Sequence, residues 1–320
     1  MNSEKPLSWG LLPKATHKMK SIKDRTSPLP EIADSLLPYG LGRSYGDSCL
    51  NDGGSLLLTR GLDRWSRFDA ETGRLECEAG VSLAEILQLV VPAGWFLPVT
   101  PGTRHVTVGG AIANDVHGKN HHRLGTFAAH VNEFELLRSD GSRRICSRTE
   151  NATWFRATVG GLGLTGLITR AVLQLRPIQS RKMDVEKIRM RNLSDFFALA
   201  DESDASHEYT VAWVDCLASG SEVGKGIFIR GNHETEKGDR SPDRPTRLTV
   251  PCYAPGFLLN HWTVKAFNTL YAKTLRGDRH QGKEDYRPFF YPLDGVENWN
   301  RLYGKRGFYQ HQCVVPRDGD

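Results

Sequence analysis

The sequence has no long apolar run. Its longest, such as Ile86 to Val91, fall far short of the ~20 residues that cross a bilayer, so any membrane contact is expected to be peripheral. The opening MNSEKPLSWGLLPKATHK lacks the apolar core of a secretory signal. Cysteines are few and scattered (Cys49, Cys77, Cys146, Cys216, Cys252 and Cys313), and none forms a C-x-x-C pair. That spacing argues against a zinc knuckle and a small disulfide scaffold, and leaves reduced thiols in a cytoplasmic protein as the default expectation. No arginine-rich or aromatic-interleaved recognition motif appears, so no nucleic-acid partner is expected. A strong charge bias is missing too. Forty-two basic and 37 acidic residues leave +5, a weak leaning toward an anionic substrate or lipid surface.

Glycine, by contrast, is abundant: 32 of 320 residues, above the usual ~7%. The excess is concentrated in short motifs. The run Leu97 to His122, LPVTPGTRHVTVGGAIANDVHGKNHH, places Gly102, Gly109, Gly110 and Gly118 among small residues. It ends in Asp115, His117, Lys119, Asn120, His121 and His122. Glycine lets backbone amides approach a ligand closely, so the run reads as a wall for a large phosphate-bearing cofactor, closed by titratable groups. A second cluster, Gly40-Leu-Gly-Arg-Ser-Tyr-Gly-Asp47, can turn several amides inward as an anion nest, or be a plain turn. Its spacing and surroundings are not those of a Rossmann fingerprint. A third, Gly160-Gly-Leu-Gly-Leu-Thr-Gly166, precedes a strand and suits either a flat ring system or a strand crossing.

Around these clusters the pattern predicts alternating elements of both kinds. Strands are expected at 55–59, 74–79 and 167–175, with a hairpin at 132–137 and 143–147 around Ser139-Asp140-Gly141. Ser82-Leu-Ala-Glu85 is a capping box that opens a helix over 83–91, and a short helix follows at 151–158. Residues 1–37 read as a loosely packed arm whose one apolar landmark is Trp9-Gly10, an aromatic that could alternatively cover a site. The texture changes near Ile178. Beyond it come strands at 183–190, 209–216 and 226–230 and a helix at 193–200. A mobile polar loop over 231–247, an amphipathic helix with aromatic anchors over 257–274, and an aromatic-rich stretch from 286 complete the pattern.

Jointly, these motifs resemble the flavin oxidoreductases of the vanillyl-alcohol-oxidase type, and within them those that oxidise the 2′-hydroxyl of a polyprenyl-phosphoryl-ribose. The resemblance rests on Gly40 to Asp47, Pro101-Gly-Thr-Arg104, Val106 to Ile112 and His117-Gly-Lys-Asn-His-His122. Thr158 to Gly161, Gly163 to Gly166, Tyr291-Pro-Leu-Asp294 and Trp299-Asn-Arg301 continue it. It implies an α+β fold: a PCMH-type FAD-binding domain over 1–178, then a substrate domain with an antiparallel sheet over 179–320. It also implies a role for each matched residue. Gly40, Leu41, Gly42, Arg43, Ser44, Tyr45, Gly46 and Asp47 would cradle the FAD pyrophosphate. Gly102, Thr107, Val108, Gly109 and Gly110 would line the pyrophosphate and ribityl path. Asn114, Asp115, Val116 and His117 would approach the isoalloxazine, and Ile168 the adenine half. Tyr45 and His117 would stand at the reacting carbon; Lys119, Trp213, Gln310 and Gln312 would line a sugar pocket.

Two departures follow from the same resemblance. Many relatives attach flavin covalently through a histidine in the first glycine loop; here Tyr45 occupies that neighbourhood, so FAD is expected to be non-covalent, with His117 as the alternative attachment point. A catalytic lysine that the resemblance places beyond Val314-Val315-Pro316 has no counterpart here, so the chain is expected to be truncated within its substrate domain. The implied reaction is oxidation of a sugar secondary alcohol, the first half of a C2′ epimerisation in cell-envelope polysaccharide synthesis, with a short-chain reductase as partner. Within this chain His117 is the candidate proton acceptor; a structural histidine bonded to a carbonyl is the alternative. His117 and His121 have the i, i+4 spacing of a metal site, but Gly118 and the preceding glycines disfavour the helix that would give it meaning, and no metal is expected. A non-catalytic flavin-binding protein and an aldonolactone or sugar-alcohol oxidase are the rival functional readings.

Overall fold

A computed structural model describes residues 7–243 and 248–313; the matched Val314-Val315-Pro316 lies outside them. The fold is mixed α+β, with antiparallel sheets on either side of Ile178. Before it stands a five-stranded sheet in the order Trp65–Asp69, Arg74–Glu78, Leu167–Gln174, Val131–Leu137, Arg143–Ser147. The central strand, LITRAVLQ, is buried at six of eight positions, as expected of a strand covered on both faces. Its Arg170 reaches Glu76 on one neighbour and Glu133 on the other, at 2.9 and 2.8 Å. Beyond Ile178 a four-stranded sheet runs Tyr209–Val214, Gly226–His233, Lys182–Met190, Arg279–Asp285. One apolar core joins the two: Leu75, Phe134 and Ala171 belong to the same packed cluster as Met183, Tyr209, Tyr286 and Phe290.

The helix Leu83–Val90 begins as the sequence dictates. Ser82 Oγ accepts from the Glu85 amide at 3.2 Å, and Glu85 accepts from the Ser82 amide at 2.7 Å. Elsewhere the structure departs from expectation. Among its described residues the arm forms paired structure: Lys18–Ser21 pairs in parallel with Ser55–Leu58, and Ile22 is buried. All four side chains of that strand face solvent, so it carries no apolar alternation to read. Arg279–Asp285 escaped notice for the same reason; RHQGKED is an edge strand defended by charge. The loop expected over 231–247 begins only after His233, its last residues 244–247 lie outside the described ones, and Asp243 within it is held in place. Asp243 accepts from Arg181 at 2.7 Å and from the Tyr286 hydroxyl at 2.5 Å, and pairs with Arg104. The helix expected over 257–274 spans His261–Ala272, and its large aromatics Trp262 and Phe267 point outward rather than anchor it. Asn151 starts Ala152–Thr158 in the left-handed region, φ 48°, without a side-chain cap.

Candidate active site

The strand Leu36–Tyr39 delivers the first glycine loop to the floor of a long cavity of about 600 Å³. The loop is confined at its glycines. A Cβ on Gly40 would lie 2.7 Å from Thr107 Oγ1, and one on Gly42, at φ +60°, would lie 2.0 Å from the Tyr39 hydroxyl. Arg43 stacks on Trp9, its guanidinium carbon 3.8 Å from the ring centroid. Burial lowers its affinity for its proton, and its Nε is buried without a hydrogen-bond partner. Trp9, the lone aromatic of the arm, is thus part of the cavity wall.

Thr107 sets the opposite wall. Its hydroxyl accepts from the Gly110 amide at 3.1 Å and starts the helix Val108–Ala113. Val108, Ala111 and Ile112 face the core; Gly109, Gly110 and Ala113 face the cavity. The third glycine cluster closes this end: Leu162 N donates to Ala113 O at 2.8 Å, and Gly163, Gly166 and Ile168 line the space. Both alternatives are met in part: Gly163 and Gly166 line the cavity, and Gly166 also passes close to the strand Val131–Leu137, where a Cβ would lie 2.7 Å from Leu137 O.

The segment Thr100 to Arg104 is clamped from the second sheet's side. Tyr291 and Thr100 share a buried hydroxyl–hydroxyl bond of 2.6 Å. Asp294 accepts from Thr103 Oγ1 at 2.7 Å and from the Arg104 amide at 2.9 Å. The two sequence motifs PGTR and YPLD are thus halves of one joint.

Past this joint a second cavity of about 240 Å³ adjoins the first, lined by Lys119, His121, Thr210 and Phe290 among others. Pro101, Gly102 and His117 belong to both linings. Gln312 Nε2 lies 3.2 Å from His117 Nε2. The Gln312 side-chain amide and the His117 imidazole thus share a polar contact across the cavity wall. Lys119 donates to the Phe289 carbonyl and sits 5.0 Å from that ring's centroid. Burial brings its ammonium down to about 8, and no ion pair among the described residues holds it.

Most sequence-derived candidates converge here. Gly40, Leu41, Gly42, Arg43, Ser44, Tyr45, Gly102, Thr107, Gly109, Gly110, Asn114, Val116, His117, Ile168, Gln310 and Gln312 line the large cavity. Tyr45 does so within an aromatic group, 5.5 Å from Phe308 and 6.3 Å from Trp299 between centroids. Gly46, Asp47, Val108 and Asp115 do not line it. Val108 is wholly buried in the core, and Asp115 turns to accept from the Ala128 amide at 3.2 Å. Trp213 lines neither cavity; its ring packs 4.7 Å from Tyr271. The candidate list missed Trp9, Trp299, Thr210 and Phe290, which only the folded chain brings to the walls. Trp299 lay in a matched motif and Trp9 and Phe290 stood out as aromatics, whereas Thr210 carried no sequence signal.

The site fits FAD on two observations. A side chain on Gly102 would meet no protein atom within 4 Å and would enter the cavity itself. Half-buried Arg43, whose Nε has no hydrogen-bond partner among the described residues, brings a guanidinium to the cavity wall for an anionic group beside the glycine loop.

Comparison with known proteins agrees with this geometry. Residues 31–147 match the FAD binding domain family. The chain is thus similar, over this domain, to FAD-linked oxidoreductases. More particularly, it is similar to the decaprenylphosphoryl-β-D-ribose oxidase of Mycolicibacterium smegmatis, 35% identical over 307 residues, or 93% of this chain and 66% of that one. An uncharacterized protein of Streptomyces coelicolor is 43% identical over 153 residues, 48% of this chain and 41% of its own length. A probable L-gulonolactone oxidase of Arabidopsis thaliana is 30% identical over 164 residues, 49% of this chain and 26% of its own. The chain thus spans just under two thirds of the first relative's length and less of the others'.

Proposed function

We propose that this chain takes part in oxidising a secondary alcohol of a sugar, namely the 2′-hydroxyl of a polyprenyl-phosphoryl-ribose, with FAD held non-covalently. The observation that carries this reading is the position of His117 on the wall common to the two cavities, beside Lys119 in the smaller one. The substrate class comes from the mycobacterial relative's name. FAD, when bound, supplies the hydride acceptor.

The chain's own residues then have separable tasks. Arg43 and the amides of the first glycine loop hold the cofactor's phosphates. His117 takes the hydroxyl proton, and Gln312, 3.2 Å from its Nε2, holds the imidazole in place until substrate arrives. Lys119 presents positive charge to the substrate phosphate; the cost of burying that charge falls when an anion joins it. Tyr45 orients the sugar hydroxyl. The oxidised sugar is the substrate of a reductase, which completes epimerisation at C2′.

Two measurements test this. Acid precipitation should release free, unmodified FAD, whereas flavin retained in the pellet would contradict non-covalent binding. Anaerobic addition of polyprenyl-phosphoryl-ribose should bleach the flavin in the wild-type chain. His117→Ala should slow bleaching by roughly 10²–10⁴-fold. An unchanged rate would remove His117 from the chemistry.

A further inference from the structure

Between Asp243 and Asp278 the sequence contains no acidic residue, although it carries Lys265, Lys273 and Arg276 there. The described part of this stretch includes the turn Gly256–Leu258 and the helix His261–Ala272. The helix is fixed along one edge. Asn268 donates to Asp215 at 2.5 Å, and Tyr271 packs on Trp213. Asn260 caps its start, accepting from the Trp262 and Thr263 amides at 2.8 and 3.1 Å. Its outer face is largely exposed among the described residues, Phe267 stacking only on Tyr271 of the same helix. Phe257 is 74% exposed, Trp262 75%, Leu270 67% and Phe267 59%.

The outward residues are ordered. Trp262, Ala266 and Leu270 follow one another at four-residue spacing, so they form a single apolar stripe. Lys265, Thr269 and Lys273 form the stripe beside it. Phe257, Leu258 and Leu259 extend the apolar surface ahead of the helix. An apolar stripe with an aromatic, flanked by cations and free of carboxylates, is the pattern of a helix lying in a lipid interface.

We propose that this face docks the chain on an anionic lipid bilayer. Phe257, Trp262 and Leu270 enter the acyl boundary while Lys265, Lys273 and Arg276 meet lipid phosphates. Charge decides the occupant. A second copy would set one acid-free cationic stripe against another and gain no opposite charge, whereas an anionic membrane complements the whole face. The inference does not depend on the proposed oxidation, but the docked helix and the smaller cavity share a strand. Tyr209–Val214 carries Trp213 under the helix and Thr210 and Val211 in the cavity wall.

The test is sedimentation of the purified chain with phosphatidylcholine vesicles, with and without phosphatidylglycerol, at low and high salt. The expected result is salt-sensitive binding to the anionic vesicles only. Phe257→Ser with Trp262→Ser should abolish it, and Lys265→Gln with Lys273→Gln should lower it roughly 10-fold or more. These side chains are exposed and outside both cavities, so circular dichroism and flavin content should stay unchanged and show that the variants fold. Failure to bind anionic vesicles, equal binding to uncharged ones, or equal binding by the variants would overturn the proposal. So would light scattering that shows a dimer which Trp262→Ser dissociates, since a second copy would then cover the face.

Discussion

Lys119 is a cation kept against an aromatic wall, and its chemistry follows from that placement. Its ammonium titrates at about 8 instead of the ordinary 10.5 because burial disfavours the charged form. The charge it can offer an anionic substrate therefore disappears as pH rises through about 8. KM for the substrate should climb above that pH by about tenfold per unit, and Lys119→Gln should remove the dependence. A flat KM between neutral pH and well above 8 would contradict the role. His233 shows the same physics without a function attached. It is enclosed by Phe96, Tyr209 and Phe290, both ring nitrogens lack partners, and burial holds it neutral down to about 3. The unfolded chain takes up this proton near 6.5 and the folded chain does not, so stability falls as pH drops from 6.5 toward 3. The slope should be about 1.4 kcal/mol per pH unit, and His233→Phe should flatten it in urea unfolding at several pH values. Neither environment could be read in the sequence. His117 could be singled out as a lone imidazole after a glycine run, but the wall it shares between two cavities is made by residues far apart in the chain.

At the scale of elements, the glycine-rich segments were legible because their chemistry is local. Gly42 has to adopt φ +60°, and Gly40 has to pass Thr107, whatever else the chain does. Gly42→Val should fold poorly or purify without flavin, and normal flavin content in that variant would contradict the tight approach described here. The capping box at Ser82 and Glu85 was equally local. Elements with solvent-facing side chains, such as Lys18–Ser21 and Arg279–Asp285, were not, because backbone pairing alone defines them. The joint between PGTR and YPLD lies between these cases. Each motif stood out in the sequence, but nothing indicated that Asp294 would accept from both Thr103 and the Arg104 amide. Asp294→Ala leaves these donors buried without their acceptor. It should cost about 2 kcal/mol in denaturant unfolding and loosen flavin retention. A stability change within error would mean the joint is not what fixes this loop.

For the whole molecule, one core passes through both sheets, and the cavity walls draw on segments from Trp9 to Gln312. Fold class was accessible through the resemblance that the glycine-rich motifs jointly carry. That an aromatic of the N-terminal arm could cover a site was legible at Trp9, but its packing beside Trp299 was not, because it depends on tertiary contacts of residues with ordinary local preferences. The central claim is that this assembled cavity holds FAD with His117 and Lys119 poised over a sugar alcohol. Its most direct test is the visible absorption spectrum of the purified chain before and after anaerobic addition of polyprenyl-phosphoryl-ribose. The account predicts flavin bands that fade on addition of substrate. A chain without flavin bands, or with bands that substrate leaves unchanged, would contradict it.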